Sequence, residues 1–156
     1  ETLSEIKKKG FNVHGIIIGE GELKNNLMQL AKKLDIEERF HMVGYVSQEA
    51  LPCYYFIADI LFYLEPNGAW SLSIIEAAAA SIPVIVAPGG SMNTLVKHRE
   101  TGIILPEPPD ASNIACETIT LLEDTKRADH IGKNNNKYLS QYSLDKSIER
   151  FIQLAT

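Results

Sequence analysis

Three observations in the sequence predict an α/β fold: a Rossmann-like, doubly wound parallel sheet followed by a helical carboxyl-terminal tail. Apolar runs of strand length alternate with helical stretches along most of the chain. Turn-forming glycines follow the strand-like runs, at Gly19-Glu20-Gly21, Gly44-Tyr45 and Pro66-Asn67-Gly68. The stretch from Ala58 to Ala87 reads strand, loop, helix, strand in one continuous unit. Regular alternation of this kind implies a parallel sheet with helices on both faces. Right-handed crossovers then narrow the topology to a doubly wound order.

Each element has a local reason. Leu3 to Lys9 reads as a short helix closed by Gly10, a C-cap glycine. Val13 to Ile18 reads as a buried strand. Leu23, Leu27, Leu30, Ala31 and Leu34 mark one face of the helix that follows. Phe40 to Val43 is the second strand, and a helix from about Gln48 to Ile57 carries Pro52 near its first turn. Ile60 to Leu64 and Val84 to Ala87 are the next two strands. The helix between them starts at Ser71 or Ser73, and Ser73 with Glu76 has capping-box spacing. Met92 to Val96 makes a short helix and Gly102 to Leu105 a fifth strand. After the loop of Pro106, Pro108 and Pro109, Asp110 serves as an N-cap. The remainder reads as helical pieces, broken near Asp129–Gly132 and Tyr142–Ser143.

At 156 residues the chain predicts one domain, able to bury roughly two-thirds of its unfolded surface. A net charge of −5 argues against nucleic acid as a partner, since such binders usually carry a basic stripe. Lys7-Lys8-Lys9, Lys32-Lys33 and Lys97-His98-Arg99 read as solvated faces or helix ends. No apolar run reaches the ~20 residues that span a bilayer, so any membrane association is expected only through parts outside this sequence. Cys53 and Cys116 lie in helical patterns and read as reduced, buried, cytoplasmic thiols. His14, His41, His98 and His130 show no metal-ligand spacing, and no metal site is expected. The opening Glu-Thr-Leu-Ser-Glu shows no signal-peptide pattern and reads as the interior of a longer chain.

The chemistry concentrates around Ala58–Ala87. Open parallel sheets bind ligands beyond the carboxyl ends of their strands, and a helix start offers free N–H groups to an anion. Glu76 is the one carboxylate in an otherwise apolar helix. It is either a capping-box residue or a ligand contact. Its apolar neighbours Ile74, Ile75 and Ala77 to Ala80 suggest a buried setting in which an unpaired charge is costly.

Several motifs occur in one order: strand-Gly19-Glu20-Gly21, Gly44-Tyr45, Ala58-Asp59 before a strand, Ile75-Glu76-Ala77, Ile82-Pro83-Val84-Ile85, Gly89-Gly90 and Thr101-Gly102. Together they resemble the carboxyl-terminal, donor-binding lobe of the glycogen-synthase-like "group 1" glycosyltransferases, retaining GT-B enzymes of glycosyltransferase family 4. The likeness covers nearly the whole chain. It implies transfer of a sugar from a nucleotide diphosphate sugar (a UDP or GDP sugar) to a hydroxyl acceptor in glycan biosynthesis, with the anomeric configuration retained. The nucleotide sugar is a co-substrate, and the resemblance implies no further cofactor and no metal. Residues 1–156 then form a single nucleotide-sugar-binding lobe, without the family's acceptor-binding amino-terminal lobe and without the first strand of this one. The Gly-rich turn with its Arg and Lys, which clamps the donor diphosphate in the family, would precede Glu1.

By the resemblance, Glu76 matches the second Glu of the Glu–seven residues–Glu motif and accepts hydrogen bonds from the ribose hydroxyls, as a carboxylate can from two neighbouring alcohols. The first Glu falls at Gly68, which departs from the pattern, and Glu65 is the candidate to take over its role. The family's Gly-aromatic-Gly-Leu becomes Ala69-Trp70-Ser71-Leu72, whose backbone amides can still meet phosphates and sugar hydroxyls. Gly19 and Gly21 serve as a structural turn or a nucleotide-contacting one. Tyr45 and Val46 match the loop that reads the nucleobase through main-chain groups. Pro88-Gly89-Gly90 lines the same cleft, with Asn93 or Thr94 where an acidic residue is expected.

Two rival readings remain. One is a degenerate lobe kept as a binding or scaffolding module, for which Gly68 speaks. The other is a flavodoxin-like or receiver domain sharing only the fold. A receiver requires clustered Asp residues after its first and third strands, where this chain has Gly19-Glu20 and Leu64-Glu65.

Overall fold

The computed structural model describes residues 1–65 and 70–143, together with Lys146 and Gln153. The first half comprises α1 (Thr2–Lys8), β1 (Gly15–Ile18), α2 (Lys24–Lys33), β2 (Phe40–Gly44), α3 (Leu51–Ile57) and β3 (Leu61–Tyr63). The second comprises α4 (Leu72–Ala79), β4 (Val84–Val86), α5 (Met92–Leu95), β5 (Ile103–Ile104), α6 (Ala111–Glu123) and α7 (Thr125–Leu139). The order is the alternation read from the sequence. All three ladders, β1 with β2, β3 with β4 and β4 with β5, are parallel. They form a pair β1-β2 and a sheet β3-β4-β5.

β4 is the centre of the core. Val84, Ile85, Val86 and Ala87 are all fully buried, as expected of a parallel strand with neighbours on both edges and both faces. Alternation divides them. Val84 and Val86 pack with Ile74, Ala77 and Ala78 of α4, Met92 and Leu95 of α5 and Leu139 of α7. Ile85 packs with Ile103, Leu105, Ile114, Leu121 and Ile131. Each of the larger side chains, the valines, isoleucines, leucines and Met92, contributes about 1.5–3 kcal/mol by leaving water. A third cluster, Ile6 with Ala115 and Ile119, joined by Phe11 and Val13, seats α1 on α6.

β1 departs from expectation. Its Ile16, Ile17 and Ile18 are exposed rather than buried. Among the described residues β1 has a strand on one edge only, β2, and an apolar run by itself does not reveal whether its neighbours are present. Cys53 and Cys116, expected to be buried, are both exposed. They lie on the outer faces of α3 and α6, a position that helical periodicity alone did not assign.

Helix ends repeat one device. After α1, Gly10 (φ 87°) donates to the Lys7 carbonyl and Phe11 to the Ile6 carbonyl. After α2, Asp35 (φ 55°) donates to Lys32 and Ile36 to Ala31; after α4, Ser81 (φ 60°) donates to Ala78 and Ile82 to Ala77. These are Schellman ends, with a left-handed residue followed by an apolar one. At the other pole, Asp110 caps α6 by accepting the Asn113 N–H at 2.7 Å, as its position predicts.

α7 runs unbroken through Asp129–Gly132, where the sequence suggested a break. Gly132 is buried against the Ser81 carbonyl, so its small size serves a close helix approach rather than a break. A 3-10 turn, Ser140–Tyr142, follows α7 where the second break was expected. The turn at Pro66-Asn67-Gly68, with Ala69, and most of the chain after Ser143 lie outside the described residues.

Candidate functional site

Of the residues singled out by sequence, those that are described fall beyond the carboxyl ends of β1, β2 and β3 and on α4. Beyond β1, Gly19 has φ 124° and donates to the Gly44 carbonyl at 2.8 Å, drawing the ends of β1 and β2 together. That backbone conformation requires glycine, so Gly19 is a structural turn, whatever else it touches. Gly21 borders open space. Tyr45, which follows Gly44, is 79% exposed, and Val46 is half-buried. The Tyr45 ring is therefore not a packing residue of the core.

At the end of β3, the Tyr63 hydroxyl donates to Glu65 Oε2 at 2.9 Å. That bond, with a smaller push from burial, raises the Tyr63 ionisation above its ordinary value. Ser71 has the extended backbone of an N-cap, but its side chain makes no cap bond and its hydroxyl pairs with Ser73 Oγ at 2.8 Å. The capping box of Ser73 and Glu76 is thus not formed. Trp70 sets its ring edge-on to Tyr142, with centroids 4.9 Å apart, and Leu72 is 69% exposed.

Glu76 is exposed on α4. This corrects the expected buried setting: of the neighbouring alanines only Ala77 and Ala78 enter the core, whereas Ala79 and Ala80 are exposed like Glu76. Its Oε2 accepts a 2.8 Å hydrogen bond from the Tyr55 hydroxyl on α3. Burial first, and then the bond and charge of Glu76, push the Tyr55 ionisation well above the usual phenol value. The phenol is thereby kept as a neutral donor.

Tyr55, Tyr63 and Tyr142 are the partners that sequence reasoning missed. Tyr63 and Glu65 stand two apart, on one face of an extended chain, which is a readable signal. Tyr55 and Glu76 are 21 residues apart, and only the fold brings them together. Of the scattered histidines, His14 Nδ1 and His41 Nε2 meet at 2.9 Å with stacked rings. Among the described residues, no three His, Cys, Asp or Glu side chains form a group suited to a metal ion, and no helix is long and apolar enough to cross a membrane. A cavity of about 510 Å³ lies at the amino ends of β3 and β4, against Ile60 and Pro83; Tyr55 borders it, and none of the expected site residues do.

An α/β lobe with parallel ladders and chemistry-bearing loops at their carboxyl ends is the class that fold and site define: a Rossmann-like lobe. The chain belongs to the family "Glycosyl transferases group 1", whose sequence profile matches residues 1–138. Among curated relatives, the 2-deoxystreptamine N-acetyl-D-glucosaminyltransferase of Niallia circulans is 27% identical over 81% of this chain and 32% of its own length. The N-acetyl-alpha-D-glucosaminyl L-malate synthase of Bacillus anthracis is 24% identical over 87% of this chain and 35% of its own. The chain therefore spans about a third of the length of these relatives.

Among solved structures, Anabaena Alr3699/HepE in complex with UDP-glucose superposes with a TM-score of 0.83 at 20% identity, over 99% of this chain and 44% of that one. The C-terminal domain of the group 1 family protein LpcC from Francisella tularensis gives 0.77 at 23% identity, over 92% of this chain and 76% of that one. At such identities the likeness speaks for the fold.

Proposed function

We propose that this chain is the donor-binding lobe of a retaining glycosyltransferase, of hexosyltransferase type, that moves a sugar from a nucleotide diphosphate sugar to a hydroxyl acceptor. The observation that carries the reading is Glu76: a carboxylate on the exposed face of an otherwise apolar helix, with Oε2 tied by Tyr55 and Oε1 without a hydrogen bond among the described residues. That group suits two neighbouring ribose hydroxyls. The amides of Trp70, Ser71 and Leu72, at the head of α4, suit the diphosphate. Gly19, Gly21, Tyr45 and Val46, beyond β1 and β2, suit the nucleoside. HepE, solved with UDP and with UDP-glucose on the same fold, supports a nucleotide sugar as the ligand. The acceptor would be held by an amino-terminal lobe, and the lobe by itself would be inactive. Catalysis would consist chiefly of stabilising the departing diphosphate and a cationic sugar in a water-poor cleft. The reading requires no resident cofactor beyond the co-substrate.

The experiment is calorimetric titration of UDP and GDP against the full-length protein and its Glu76→Gln variant. Saturable binding of one nucleotide, weakened about tenfold or more in the variant, is expected, because a hydrogen bond to a charged group contributes about 1.5–3 kcal/mol. Binding that ignores the substitution would overturn the reading. The second reading, a degenerate lobe acting as a scaffold, is favoured by Gly68 at the position of the first motif Glu. Absence of saturable binding with any nucleoside diphosphate would select it.

A further inference from the structure

We infer that Tyr55 is a positioning residue for the donor site, its hydroxyl holding the Glu76 carboxylate in the one orientation that meets a ribose diol. The inference rests on the donor-lobe reading of Glu76 and adds a residue to which that reading assigns nothing.

Glu76 is exposed. A free glutamate on an exposed helix face samples several rotamers, and each must be given up when a ligand binds. Tyr55 removes that freedom beforehand. Its ring is half-buried and packs against the cluster of Ile74, Ala77, Ala78 and Val84, so the hydroxyl is delivered from a fixed base. The bond is 2.8 Å long, from α3 to Glu76 Oε2 on α4. A carboxylate offers about four lone-pair directions. One goes to Tyr55, and those remaining suffice for two alcohol donors. Because burial and the Glu76 charge push the phenol's ionisation up, the hydroxyl keeps its proton and remains a donor at neutral and mildly alkaline pH. Prepaid orientation of this kind acts on affinity rather than on the chemical step.

A purely structural tie between α3 and α4 would have a different signature. Tyr55→Phe keeps the ring packing and removes only the hydroxyl. In the full-length enzyme, assayed with the nucleotide sugar that it turns over, this variant should raise the donor KM about three- to tenfold and leave kcat within about twofold, the range of one net hydrogen bond. It should also shrink the penalty for a 2′-deoxyribonucleotide, since an unanchored carboxylate gains less from the missing hydroxyl. Glu76→Asp draws the carboxylate away from Tyr55 and should reproduce both effects should the Phe variant fail to fold.

A lower melting temperature with donor KM and 2′-deoxy discrimination unchanged would overturn the inference. If Glu76→Gln weakens the nucleotide while Tyr55→Phe does not, the inference fails and the donor reading stands. If Glu76→Gln has no effect either, both fall.

Discussion

Gly132 and Ser81 meet so closely that a Cβ on the glycine would lie 1.9 Å from the Ser81 carbonyl oxygen and 2.7 Å from its carbon. The obstacle is backbone, which does not swing aside as a long side chain would. α7 reaches the end of α4 only because position 132 has no side chain. Gly132→Ala is therefore expected to destabilise by about 3 kcal/mol, the upper part of the range for overpacking, despite the better helix propensity of alanine. Urea unfolding followed by far-ultraviolet circular dichroism reads the loss. A variant as stable as the parent would mean that α7 shifts freely over Ser81.

Ser81 itself sits at φ 60°. A side chain in the left-handed region costs about 1–2 kcal/mol, and glycine returns part of that gain through its larger unfolded-state freedom. Ser81→Gly is expected to stabilise by about 0.5–1 kcal/mol, because it leaves in place the carbonyl that Gly132 approaches. For a chain of this size that is a rise in Tm of roughly 1–4 °C. Differential scanning calorimetry decides the sign.

How far the sequence could be read shows at these same helix ends. Gly10 announces the carboxyl end of α1, and Asp110 the amino end of α6. Asp35 and Ser81 close their helices by the same pair of backbone bonds, but without glycine the motif left only a faint trace: an apolar residue five positions after another, Ile36 after Ala31 and Ile82 after Ala77. Gly132 carried the opposite error, because glycine in a helix signals a break or a close contact and only the neighbour decides which. Strand identity was legible throughout, whereas burial was not, since Ile16 to Ile18 look the same with or without a strand on the second edge. At the site, the positions at strand ends followed from fold class, whereas the Tyr63–Glu65 pair went unread, although its spacing of two at the end of β3 is a signal for it. The exposure of Glu76 and its bond to Tyr55 depend on how α3 packs beside α4, which local sequence does not encode.

On the proposed donor-lobe reading, Glu65 takes the place of the carboxylate lost at Gly68. An anion close to a cationic sugar stabilises the transition state more than the ground state. Glu65→Gln in the full-length enzyme is then expected to lower kcat by about tenfold or more with little change in nucleotide affinity. Single-turnover kinetics beside nucleotide titration separate the two. An unchanged kcat would remove Glu65 from the reaction.

Tyr55 makes stability depend on pH in one direction. Its ionisation is raised in the folded state, first by burial and then by Glu76, from an ordinary value of 10.0. Folded protein therefore holds this proton at pH values where the unfolded chain has released it. Linkage gives the sign: below pH 10 both states are protonated and the contribution is fully present, and as pH rises further the folded state binds more protons than the unfolded one, so stability falls. Tyr63 and Tyr138 are shifted in the same sense, so the parent protein's alkaline slope is a sum. The difference between parent and Tyr55→Phe isolates the one phenol. Urea midpoints measured from pH 8 to 11 are expected to run parallel up to about pH 10 and to converge above it. Curves that stayed parallel to the top of the range would mean that Tyr55 ionises as freely as a phenol in water, and that its bond to Glu76 is not held in solution.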